Sequence, residues 1–154
     1  LDAAIAEVPL PNGQRSDAFA RAERAAWEET GEAYRPALLA DVPLIPAHTA
    51  LLTTTVYHGS NPPGIVDIVP SESPRPAGWT AALVIVDGLI GQAVDDGICQ
   101  RFSHVPGMPE LLLRAVSYRR YVNDLHSASR SNTRSHIERV EQHLVSRASA
   151  ILER

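Results

Sequence analysis

The sequence predicts a helix-rich α+β fold: an N-terminal helix, a small antiparallel β hairpin or sheet at about residues 49–69, and a helical C-terminal half. Three observations predict it. Seven of the twelve prolines (43, 46, 62, 63, 70, 74 and 76) fall between Asp41 and Gly78. Among them lies "TALLTTTVYHG", β-branched and aromatic enough for a strand. On either side, apolar residues recur every three or four positions, the spacing of one helix face.

Taken in order, residues 1–15 read as a flexible approach segment, because "PLPNGQR" carries proline and Asn-Gly turn signals. Ser16 is then an expected N-cap, with Asp17 in the first turn. Phe19, Ala22, Ala26, Thr30 and Ala33 give that helix a small-residue face, until Gly31 weakens it and Pro36 ends it. In the proline-rich segment "TALLTTTVYHG" and "GIVDIV" are the two candidate strands, joined by "SNPP". "GWTAALVIVDGLIGQAVDDGICQRF" fits either one helix, with Leu83, Val86, Ile90, Ala93, Val94 and Ile98 on a face, or a buried strand followed by a helix. The helix is preferred, because no tight turn cluster interrupts it. Pro109 suits the first turn of the next helix, 109–127, whose apolar face is Leu112, Ala115, Val116 and Val122. After "SASRSN" a last helix starts near Asn132 or Ser135, with Ile137, Val140, Leu144, Ala148 and Ile151 in one stripe.

A chain of 154 residues fits a single domain, 1–154, and is long enough to bury a core. No apolar run approaches the roughly 18–20 residues of a membrane span, and no secretory signal is visible at the start. Cys99 is the only cysteine, which excludes an internal disulfide and makes a reducing, cytoplasmic setting the default; a delivered effector or a virus-derived protein is the alternative. All fourteen cationic side chains are arginine, so lysine chemistry is excluded. Residues 1–100 hold five arginines against thirteen acids, and residues 101–154 nine against five. That asymmetry suggests an anionic partner, or one half packing on the other.

The motif that invites a chemical reading is "VYHGS". His-Gly-Ser at the end of a strand resembles the first motif of the ADP-ribosyltransferase family. The resemblance covers about five residues. It implies that His58 and Gly59 contact a dinucleotide, with Tyr57 before them, and makes His58 the candidate catalytic residue. That family also needs a later tyrosine on a strand and usually a glutamate, whereas Tyr118 and Tyr121 fall in a helical segment. "NDLHSASRS" resembles the Asn-Asp-x-x-Ser-x-x-x-Glu magnesium site of class I terpene synthases, but Ser131 stands where the glutamate belongs. His136 and His143 share a helix face beside Arg139 and Arg147, which disfavours a metal. No phosphate-binding loop, nucleophile elbow or His-Glu-x-x-His is present.

"SYRRYV" interleaves aromatic and guanidinium groups. Tyr118, Tyr121, Arg119, Arg120, Arg134 and Arg139 are therefore the candidate binding residues, for phosphates and bases or for an acidic protein surface. The net charge of −4 weighs against dedicated nucleic-acid binding. The expectation is a non-enzymatic assembly or regulatory module, self-associating through its amphipathic C-terminal helices, with no cofactor and no metal. A small nucleotide-using enzyme built on His58 and a nucleic-acid contact through the arginine-rich helices are the alternatives.

Overall fold

The structure, a computed structural model, describes residues 12–29, 34, 36–125 and 131–152. Helix α1 is Asn12–Glu28, followed by a 3-10 turn at Pro36–Leu39. Four two-residue strands come next: β1 Leu44–Ile45, β2 Thr55–Val56, β3 Gly64–Ile65 and β4 Arg75–Pro76. The rest is helical, as α2 Trp79–Ile90, α3 Ile98–Arg101, α4 Met108–Asp124 and α5 Ser131–Leu152. The helix-rich α+β reading holds.

Helix α4 is the axis of the molecule, with α1, α2 and α5 packed around it. Its sequence explains this: "ELLLRAVSYR" is buried on every side, including the charged Glu110, Arg114 and Arg119. Trp79 at the start of α2 is fully buried and sits between Trp27 and Tyr118, with ring centroids 5.1 and 6.3 Å away. The apolar stripe of α5 faces inward, so Ile137, Val140, Leu144 and Ala148 all join this core. Gly107 precedes α4 at φ 69°, and a Cβ there would lie 2.3 Å from Leu39 Cδ2, so both conformation and packing require glycine.

Several boundaries differ from expectation. Helix α1 starts at Asn12 rather than Ser16, because Gln14 and Arg15 are good helix formers and carry it past the Asn-Gly signal. Residues 1–11, Gly31, Ala33 and most of "SASRSN" lie outside the described residues. The segment 79–101 is neither one helix nor a strand plus a helix. Helix α2 stops at Gly91, Gln92 takes φ 56°, and a turn leads to the single-turn α3. Gly88 allows this fold-back, since Val94 packs where a side chain would stand, 3.0 Å from an added Cβ.

The threonine run is the larger departure. Residues 51–54 form a turn, and only Thr55–Val56 remain strand. Thr53 Oγ1 and Thr54 Oγ1 each donate to the Ala50 carbonyl at 3.0 Å, and Thr55 Oγ1 donates to Leu51 at 2.6 Å. Hydroxyls bonding back three or four residues satisfy the carbonyls that a sheet partner would otherwise take. The expected hairpin survives at its tip, where Thr55 faces Ile65 and Val56 faces Gly64, antiparallel.

Both two-stranded sheets belong to one irregular ribbon, residues 43–56 against 64–77. At its base Leu44 pairs with Pro76 and Ile45 with Arg75, and His48 bridges to Pro70 midway. From Ile45 to His48 the first branch advances three residues while the second advances five. From His48 to Thr55 it advances seven against five, so the two bulges cancel and the register is regained.

Candidate interaction surface

The helical half uses its charges internally. Asp87, buried in α2, takes two bonds from Arg119, Nε at 2.5 Å and Nη2 at 2.6 Å, and Arg119 Nη2 also donates to the Thr49 carbonyl at 2.9 Å. Arg114 bonds Glu110 at 2.8 Å and donates to the Trp27 carbonyl at 2.6 Å, closing the last turn of α1. Arg120 joins Glu29 at 2.7 Å and Glu141 at 2.8 Å. Arg139 donates to the Leu89 carbonyl at 2.9 Å and His136 lies 3.2 Å from the Ile90 carbonyl, so α5 caps the end of α2. Arg134 makes an exposed pair with Asp124 at 2.6 Å.

The candidate binding residues are thus dispersed. Arg119 and Tyr118 are buried, Tyr121 is half-buried under the Arg120 guanidinium, and Arg139 lies against the end of α2. Burial pushes the Tyr118 hydroxyl up. Tyr118 and Arg119 line a cleft of about 940 Å³ between α1, residues 67–72 and α4. The Glu23, Arg24 and Arg119 groups on its walls are bound to Arg75, Glu72 and Asp87.

Cys99 is buried, and burial pushes its thiol up; Arg147 pulls the other way and Asp96 adds to the rise. Among the described residues no group of three histidine, cysteine or acidic side chains could hold a metal ion. No helix among them is long and apolar enough to cross a membrane.

His58 stands at the ribbon tip, exposed, and is not among the residues that line the cleft. Its carbonyl accepts from Asn61 N at 3.1 Å, and Gly59 takes φ 55°, so His58 and Gly59 form the turn. Tyr118 and Tyr121 lie on helix α4, not on a strand.

The ribbon has the opposite character from the bundle. Among the described residues eleven large apolar side chains are exposed, and seven of them belong to residues 44–68. Tyr57 is 70% exposed, Ile65 58% and Ile68 74%, with Leu44, Ile45, Val56 and Val66 completing the set. Side chains alternate along a strand, so Tyr57 and Ile65 take one face of the tip while Val56 and Val66 take the other. The tip is an arm, apolar on both sides.

Its foot is well anchored. Thr49 N donates to the Val69 carbonyl at 2.8 Å, and Ala50 N donates to His48 Nδ1 at 3.1 Å. That leaves the ring hydrogen on Nε2, facing the Asp67 carbonyl at 3.1 Å. Arg75 at the base donates to the buried Glu23 at 2.7 Å and lies over the Trp27 ring.

Beside that foot an apolar cavity of about 500 Å³ opens between the ribbon base, α2 and α3. Ile45, Leu51, Pro76, Val84, Val94 and Phe102 are among its walls, and no charged side chain lines it. None of residues 52–66 reaches into it.

Residue spacing directs attention to the helices and to His58, not to the exposed apolar side chains of the ribbon. The signal was present: from Val42 to Val66 there is no acid and no arginine, a charge-free run of 25 residues between Asp41 and Asp67. Comparison with protein families, curated proteins and solved structures finds no match to this chain.

Proposed function

We propose that this chain is a non-enzymatic interaction module, in which the helical bundle is the holder and the ribbon tip is the docking element. The observation that carries the reading is the concentration of exposed apolar side chains on residues 44–68, six of the seven within the ion-free run 42–66. Large exposed apolar side chains gathered on one arm of a folded chain mark an interaction site, and an uncovered two-stranded edge invites pairing. Ile137, Val140, Leu144 and Ala148 of the α5 stripe are packed within the fold, which favours residues 44–68 over the C-terminal helices as the surface for association.

The exposed fractions of the seven side chains equal roughly four whole residues, on the order of 700 Å². A standard interface takes about 800 Å² per partner. The tip is also pre-organised by Pro62, Pro63 and the turn at Gly59, which lowers the entropy lost on docking.

A photo-crosslinking amino acid placed at Tyr57, and at the exposed Gln142 of α5 as a control, tests this in extracts of the native source and in the purified protein. Discrete adducts at Tyr57 and none at Gln142 are the expected result. Equal labelling, or none at Tyr57, contradicts the reading.

A further inference from the structure

The ribbon tip and the cavity beside its foot have the same chemistry and do not meet within one chain. We infer that they meet between chains: the occupant of the cavity is the ribbon tip of a second copy, and two copies exchange tips reciprocally about a two-fold axis. This rests on the reading of the tip as a docking element and adds the identity of its partner.

Three observations support it. First, the tip offers apolar side chains without a covering layer, and the cavity offers apolar walls without an occupant from residues 52–66. Second, neither surface carries a charge. The tip lies within the ion-free run 42–66 and no ionic side chain lines the cavity, so docking desolvates no charge and places no like charges together. A two-fold contact needs this self-compatibility, because each copy presents the same two patches to the other.

Third, the area is sufficient. Tip and ribbon base together, the apolar side chains exposed on the ion-free residues 44–66 amount to on the order of 600 Å² per copy, which approaches the share of each partner in a standard interface. A cavity of about 500 Å³ lies within the roughly 300–1,000 Å³ range of sites that enclose a ligand group. Tyr57 at the tip is the kind of aromatic anchor such a site holds.

The experiment is sedimentation velocity on the full chain from low micromolar to several hundred micromolar, with two variants. Tyr57→Arg alters the tip at a side chain that supports nothing in the fold. Val84→Trp fills the cavity from the half-buried wall of α2, and Ala81→Leu is a second, milder filling. Unchanged melting curves show which variants remain folded. The wild-type chain is expected to dimerise reversibly, and each variant alone to weaken dimerisation by at least roughly 30-fold.

Mixing the two variants is the decisive arm. Neither variant alone retains an intact tip opposite an intact cavity, but the mixture has one such pair, so association is expected to recover in part. A wild-type chain monomeric at every concentration overturns the inference. So does a cavity variant that dimerises as well as wild type, which would mean tips meeting tips, or a mixture that recovers nothing. The two readings fail separately. Tyr57 adducts to a different protein, with a monomeric wild type, keep the docking reading and remove the second copy. Absence of Tyr57 adducts removes the docking reading itself.

Discussion

The bundle and the ribbon solve opposite problems with the same twenty side chains. In the bundle nearly every ionic group near the core is tied to a partner on another element. Asp87 holds Arg119 across 32 positions of sequence, and Arg114 reaches back 87 positions to the Trp27 carbonyl. In the ribbon tip there are no ionic groups, and the apolar side chains that would form a core elsewhere point into water. The difference teaches where the stability of this molecule resides. It is concentrated around α4, while the exposed side chains of the tip contribute little.

The strongest way to break that comparison is to cut the bundle at its buried ion pair. Asp87→Ala leaves the Arg119 guanidinium buried without its carboxylate and should cost about 3–5 kcal/mol, read by denaturant unfolding. If the loss is below about 1 kcal/mol, the pair does not hold α2 on α4. Leu144→Ala comes next. It shortens a buried side chain on the inward face of α5 and should cost about 2–4 kcal/mol without changing association. A changed association state with intact stability would return the interface to the C-terminal helix.

At the boundary between the regions stands His48. His48→Ala removes the acceptor of the Ala50 amide and the donor to the Asp67 carbonyl, and should cost about 1–3 kcal/mol. Faster hydrogen exchange should follow at Ala50, while the amides of α4 keep their protection relative to global stability.

The smallest effect is electrostatic. Burial alone would raise the Glu29 carboxyl, but the Ser117 hydroxyl and the Arg120 guanidinium hold it below its usual 4.5. A carboxyl lowered in the folded state contributes stability above the unfolded value and loses it as pH falls below 4.5 through the folded value. Glu29→Gln should therefore be slightly less stable at neutral pH, and the gap should close in acid titrations below pH 4.5. A gap that persists at the lowest pH would assign the loss to packing.

Much of the bundle was legible in the sequence. Leu112, Ala115, Val116 and Val122 on α4, and Ile137, Val140, Leu144 and Ala148 on α5, are buried as their spacing predicts. Helix periodicity is a local property, and it survives because tertiary packing uses the same faces. What escaped the sequence is not local. Nothing near Arg119 announces Asp87, and nothing near Arg139 announces the carbonyl of Leu89, so arginines that end helices resemble arginines that meet phosphate. The threonine run misleads for a different reason. Its β-branched character favours a strand, but its hydroxyls compete for the backbone and win at residues 51–54. The exposed ribbon left a readable trace in its missing charges. Apolar residues in a hairpin are ordinarily read as facing a core, however, and here no layer covers them.

The central claim, that the helices hold the fold while the tip meets a partner copy, is tested most directly by hydrogen exchange at two protein concentrations. Exchange followed by mass spectrometry at low micromolar and at several hundred micromolar compares the regions within one molecule. Raising the concentration should slow exchange in residues 55–66 and at the cavity rim around Val94 to Phe102, and leave α4 and α5 unchanged. Slowing confined to α5, or no difference in residues 55–66 at any concentration, would contradict it.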